Sequence, residues 1–207
     1  MPITPFQLDV IKELVNIGVG HAAGLLNQMT HANIRLSIPE VRVLDMPQLP
    51  EALHLSQGSL ISAVKLPFEG AFSGTAVLAF PSASAASLVS ILIGSGGRDM
   101  DMDSLRVGTL QEIGNIVLSG VMGSFANVLR AEQVRYLPLD YFEDHGANLV
   151  AALGAGRATV LYVRAHFAIE DRKIGGDIVI LFRLGSFHTL LAAIDRLREN
   201  ISPSGDE

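Results

Sequence analysis

Apolar positions change their period several times along the chain, and each change marks an element. From Pro5 to about Met29, the residues Ile11, Val15, Gly18, Ala22, Leu25 and Met29 recur at helical spacing. Asp9, Glu13 and Asn16, at i, i+4 and i+7, fall within roughly 60° of one another on the opposite side. The start chemistry agrees, because Thr4 is placed as an N-cap, Pro5 as the first helical residue and Gln7 at the third position of a capping box. Partly alternating β-branched runs then predict strands at Ile34–Met46, Ser59–Leu66 and Ala71–Phe80, with Pro67–Gly70 as a turn. Pro39 requires that the first of these strands lie at a sheet edge or carry a bulge, since proline has no N–H for the ladder. Ala83–Ile93 reads as a closing helix, and Gly94-Ser95-Gly96-Gly97 as a linker.

The same series is then written a second time. Glu13, Asn16, Ile17, Gly24 and Pro39 recur, each 99 positions later, as Glu112, Asn115, Ile116, Gly123 and Pro138. Gly74–Phe80 (GTAVLAF) aligns with Gly176–Phe182 (GDIVILF) at an offset of 102, which implies a small insertion in the second copy. The second copy predicts a helix near Ser104–Arg130, strands near Val134–Phe142, Thr159–Ile169 and Ile174–Phe182, and a helix near Phe187–Glu199. Leu110, Val117, Val121, Phe125 and Val128 line one face of its long helix, with Glu112 and Asn115 on the other. The chain therefore reads as two repeats, residues 1–97 and 98–207, packed as one compact domain. The expected fold class is α+β, with pseudo-twofold symmetry and an antiparallel sheet carrying the long helices on its outside. Gly24 and Gly123 each cost about 1 kcal/mol relative to alanine inside a helix, which predicts close approach of another backbone there.

Composition narrows the function. An apolar content of 49% against 17% charged residues excludes disorder for most of the 207 residues. The net charge of −6 argues against a nucleic-acid-binding surface, and the twelve aromatics (nine Phe, three Tyr) leave little for a base-stacking platform. Cysteine is absent, which excludes disulfides, thiolate metal sites and a cysteine nucleophile. His21, His31, His54, His145, His166 and His188 form no HxH or HExxH pattern, so no metal site is expected. Neither a GxxxxGK[ST] phosphate loop nor a GxSxG nucleophile turn is present. The charge-free stretch Ala71–Gly97 is interrupted by Pro81 and six serines, too broken to span a membrane. Met1-Pro2-Ile3-Thr4 lacks the basic and apolar regions of a secretory signal, and a cytoplasmic location is expected.

What remains is a pair of exposed Glu-x-x-Asn motifs. On a single helix such residues are ordinarily a solvated face, and Thr109-Leu110-Gln111-Glu112 can be read as a capping box that uses Glu112 structurally. Recurrence at equivalent positions, among residues that otherwise diverged, favours a function.

With these residues in hand, the chain resembles the CheC/CheX/FliY family of chemotaxis phosphatases, whose pattern is Asp/Ser-x3-Glu-x2-Asn-x22-Pro. Asp9, Glu13, Asn16 and Pro39 match it in full. Glu112, Asn115 and Pro138 match in the second copy, where Gly108 stands in place of Asp or Ser. The two-copy layout is most like two-site CheC. The resemblance implies a phosphatase acting on the aspartyl phosphate of a CheY-type receiver domain. Asn16 and Asn115 would orient the attacking water and Glu13 and Glu112 would pair with the receiver's lysine, with Asp9 in support and Pro39 and Pro138 as structural parts of the motif. It implies no cofactor in this chain, with Mg²⁺ supplied by the receiver, and the deamidase CheD as a further partner. The alternative is a non-catalytic binding module or adaptor that docks a receiver, CheD or a flagellar-switch partner. Of the two sites, the first is expected to be stronger, because Gly108 leaves the second without its acidic side chain.

Overall fold

The computed structural model describes residues 3–30, 33–53, 60–93, 102–128, 134–153, 158–169, 172–183 and 185–201. The first long helix, α1 (Pro5–Thr30), starts with the expected capping box. Thr4 N–H donates to Gln7 Oε1 at 2.9 Å, and Gln7 N–H donates to Thr4 Oγ1 at 3.2 Å. At its far end Asn27 mimics a backbone group: its side chain exchanges hydrogen bonds with both the N–H and the C=O of Ile34. That pair of hydrogen bonds fixes where strand β1 (Ile34–Asp45) leaves the helix.

A 3₁₀ turn and a one-turn helix α2 (Leu49–Ala52) follow, then strands β2 (Leu60–Gly70) and β3 (Gly74–Pro81) and helix α3 (Ser82–Ile93). The second copy comprises α4 (Met102–Val128), β4 (Val134–Tyr136), β5 (Asp140–His145), α5 (Gly146–Ala152), β6 (Thr159–Ile169), β7 (Arg172–Phe182) and α6 (Ser186–Ile201). The expected linker at 94–97 and the end of the predicted helix at Arg130 lie outside the described residues. Sequence patterns did not indicate α2 or α5, which are too short to show a helical period.

The sheet has seven strands in the order β1-β6-β7-β3-β2-β4, with β5 also beside β2, and every pairing is antiparallel. The expected α+β architecture is observed. β3 and β7, one from each copy, form the central pair. Each copy's opening strand crosses over: β1 pairs with β6, and β4 and β5 pair with β2.

Pro39 has both effects expected of it. β1 is an edge strand, and its register with β6 shifts between Ser37 and Glu40. In the second copy the equivalent irregularity is wider, since Pro138 sits in the break between β4 and β5. The predicted turn at Pro67–Gly70 is not a turn. β2 runs through it, with Pro67 opposite Thr75, and the chain reverses only after Gly70, whose φ of 128° suits glycine. Pro67 is tolerated there because its carbonyl accepts the Leu137 N–H at 2.9 Å, so its donorless nitrogen points the same way, into the β4/β5 break.

The sheet is covered on both faces. The long helices, with α3 and α6, bury Phe68, Phe80, Phe167 and Phe182 on one side. On the other, Leu49, Ala52 and Leu53 pack over Val77, Val160, Tyr162 and Val179. The charge-free stretch that begins at Ala71 divides into β3 and α3, and among the described residues no helix is long and apolar enough to cross a membrane.

Two expectations about the long helices are corrected. Leu25 and Met29 are exposed, while Leu14, Val19 and Leu26 are buried together with the expected Ile11, Val15, Gly18 and Ala22. α1 packs on the sheet and on α4 at once, so its buried arc is wider and centred differently from a single apolar stripe. The side chain of Val128 lies outside the described residues; Leu110, Val117, Val121 and Phe125 are buried as expected. Nor do Gly24 and Gly123 mark the close approach, since a Cβ at either would meet nothing within 4 Å. Gly18 and Gly120 mark it instead.

Candidate functional site

α1 and α4 cross antiparallel. Ser124 Oγ donates to the Leu14 carbonyl at 2.6 Å, a Cβ at Gly18 would lie 2.5 Å from Val121 Cα, and one at Gly120 would lie 3.4 Å from the Ala22 Cβ. With the sheet on one side and the partner helix on another, each long helix keeps one strip facing outward.

That strip carries the motifs. On α1, Asp9, Glu13, Asn16, Gly20 and Gly24 follow one another at steps of 4, 3, 4 and 4 residues, and all five are exposed. On α4 the counterparts at an offset of 99 are Gly108, Glu112, Asn115, Ser119 and Gly123; the first three are exposed and the last two half-buried. The structure thus places Asp9, Glu13 and Asn16 on one face, and Glu112 and Asn115 on an equivalent face of the second helix. Pro39 and Pro138 are exposed at the irregularities of the edge strands described above.

Local surroundings differ between the two faces. Asp9 stands 3.9 Å from Lys12, one turn along, in an exposed pair of little energetic weight. Among the described residues, none hydrogen-bonds the side chains of Glu13 or Asn16. Ile17, beside Asn16, is 48% exposed, whereas its counterpart Ile116 is buried at 8%. On α4, Ser119 Oγ donates to Asn115 Oδ1 at 3.3 Å. Glu112 borders an apolar groove of about 550 Å³ formed by Leu26 and Met29 of α1, Leu92 and Ile93 of α3, and Leu105 and Ile113 of α4. Met29, expected in the core, is therefore a groove wall. Sequence reasoning missed the groove because it depends on which helix ends meet.

The capping-box reading of Thr109–Glu112 is also corrected. α4 begins at Met102, so Thr109 is internal, and its hydroxyl donates back to the Leu105 carbonyl at 2.8 Å. Glu112 is left available on the outer face, and Gly108 lies in the second turn instead of a frayed first one.

The starts of the two helices are anchored by equivalent residues of different chemistry. Gln7, buried, donates from Nε2 to both carboxylate oxygens of Asp195 on α6 at 3.0 Å. Its counterpart Arg106 meets Glu143 of β5 at 2.6 Å and Ser62 of β2 at 3.0 Å. Burial raises the Glu143 pKa, but hydrogen bonds from Ser82, Arg106 and Ser62 outweigh it and hold the carboxyl below its ordinary range. Among the described residues, no group of three or more His, Asp or Glu side chains is arranged to hold a metal ion.

Chemically, each outer face offers one carboxamide close to the helix midpoint and one carboxylate about a turn before it. Such a pair docks onto a cation and holds or directs a water; it does not form a covalent intermediate.

No family model matches the chain. It is similar to the CheY-P phosphatase CheC of Bacillus subtilis (strain 168), 23% identical over 171 residues, covering 81% of this chain and 79% of that protein. Among solved structures it resembles Thermotoga maritima FliY, with a TM-score of 0.75 at 19% identity over 95% of this chain and 99% of that one. The FliM middle domain from H. pylori gives 0.68 at 15% identity, over 92% and 99%. CheX in the CheX–CheY–BeF3–Mg complex from Borrelia burgdorferi gives 0.50 at 17%, over 82% and 97%.

Proposed function

The chain belongs to the CheC/CheX/FliY family, and from that premise we propose that it is a phosphatase for the aspartyl phosphate of a CheY-type receiver domain, acting in the cytoplasm. The observation that carries this reading is the double display of Glu and Asn, identically spaced, on the outward faces of two paired helices. An acyl phosphate is already reactive, so positioning supplies the rate and no nucleophile of the protein's own is required.

Docking lays one long helix along the receiver's phosphorylation site. Glu13 or Glu112 pairs there with the receiver's lysine and sets the register of the helix. The Asn16 or Asn115 carboxamide, which both accepts and donates, orients a water in line with phosphorus, and Asp9 supports the first face. Mg²⁺ enters with the receiver, as part of the substrate. CheD is a further partner on this reading.

FliM of H. pylori, which shares this fold, is found in complexes with FliG and with SpeE, and this favours one rival, a module that docks a partner without hydrolysis. Phosphate release from a phosphorylated receiver, measured with and without this protein, separates the two. Acceleration that disappears in the Asn16→Ala/Asn115→Ala double variant supports the phosphatase. Receiver binding with no acceleration supports the docking module.

A further inference from the structure

The outward strips of α1 and α4 correspond position by position with two departures. Asp9 has Gly108 as its counterpart, and Gly20 has Ser119. Only the second reaches the amide of the motif. Ser119 lies one turn beyond Asn115, and its hydroxyl donates to Asn115 Oδ1 at 3.3 Å. This is a long bond between two oxygens, so its value lies in direction more than in strength. In α1 Gly20 has no side chain to do the same, and no described residue hydrogen-bonds the Asn16 carboxamide.

From this difference we infer that Ser119 is a positioning residue that sets the orientation of the Asn115 carboxamide, and that the second site consequently turns over faster than the first. The inference rests on the phosphatase reading above. A carboxamide has two unlike ends, and the last torsion of asparagine is soft, so an unrestrained side chain presents Oδ1 and Nδ2 in turn. A hydroxyl one turn away, donating to Oδ1, restrains that torsion in the arrangement the structure shows. One lone pair of Oδ1 stays available to accept an O–H of the attacking water, and Nδ2 is left to donate outward. Without the hydroxyl, only part of the population holds the water correctly. That deficit acts on turnover, since docking through the glutamate is unaffected.

Gly108 still leaves the second site without the side chain that Asp9 gives the first, but neither a loose helix start nor a competing cap weakens that site. Gly108 is six residues inside α4, and Glu112 is not part of a cap.

Single-site backgrounds isolate the effect. In Asn16→Ala, where the second site alone remains, Ser119→Ala should lower kcat by about two- to three-fold with KM unchanged, the low end of the range for one hydrogen bond. Ser119→Thr, which keeps the hydroxyl, should restore it. In Asn115→Ala, Gly20→Ser should raise kcat of the first site by a similar factor, because a Cβ at Gly20 meets nothing within 4 Å and the side chain fits. Gly20→Ala should not, which separates the hydroxyl from a gain in helix propensity. An unchanged kcat in Ser119→Ala overturns the inference. So does a rise in KM in place of a fall in kcat, which would make Ser119 a direct contact with the receiver, and so do equal effects of Ser and Ala at position 20. Wild-type activity in the Asn16→Ala/Asn115→Ala double variant instead overturns the phosphatase reading itself, and the inference with it.

Discussion

Gly18 and Gly120 face each other across the crossing of α1 and α4, so close that a Cβ on either would lie within 2.8 Å of the other's carbonyl oxygen. This contact brings the two motif-bearing helices together and turns their Glu and Asn residues outward. Ser124, from the same stretch of α4, adds a second link at this crossing by donating to the Leu14 carbonyl.

Substitution at the crossing should be costly and substitution away from it beneficial. Gly18→Ala forces backbone apart and should lower stability by about 1–3 kcal/mol. Gly24→Ala, only six residues further along the same helix and with open space around it, should raise stability by up to about 1 kcal/mol. Thermal unfolding of the two variants checks the pair of signs.

Exchange of the opening strands predicts that neither repeat folds alone. Residues 1–97 lack the partner that β1 needs, and residues 98–207 lack the partner of β4 and β5. Expressed separately, each half should show poor amide dispersion in NMR spectra, and co-expression should recover a folded complex. A well-dispersed spectrum from either half alone would contradict this.

The motif residues should be dispensable for stability. Asn16→Ala, Asn115→Ala, Glu13→Ala and Glu112→Ala all fall on exposed positions, where stability changes usually stay within about 0.5 kcal/mol. The double asparagine variant should keep the wild-type melting temperature while losing receiver dephosphorylation; loss of both would point to a structural role.

Acid should loosen the start of α4. The Glu143 carboxyl is held below its ordinary range in the fold. Its contribution is therefore complete above the unfolded carboxylate pKa of about 4.3 and is lost as pH falls through the lower folded value. Glu143→Gln should accordingly destabilise the protein at neutral pH, and the gap to wild type should narrow on acidification. Melting temperatures measured between neutral and acidic pH test the sign, and a gap that widens in acid contradicts it.

Much of this molecule was legible in its sequence because the information was local or periodic. The capping box at Thr4 and Gln7 spans three residues, the outward placement of Glu13 and Asn16 follows from helical periodicity, and the bulge at Pro39 follows from a missing N–H. The recurrence at an offset of 99 was visible because the two stretches keep the same residues at the same steps. Tertiary structure decided the rest. Which strand completes which hairpin, which glycine touches a neighbouring backbone, and why Pro67 can sit inside a strand all depend on residues far apart in the chain meeting in space. Leu14 and Ser124 are 110 positions apart, and nothing in either neighbourhood specifies the other. Gly18 and Gly24 look alike in a helical sequence. Only the packing of α4 against one of them, leaving the other in open space, makes the first a requirement of the fold and the second a cost to it.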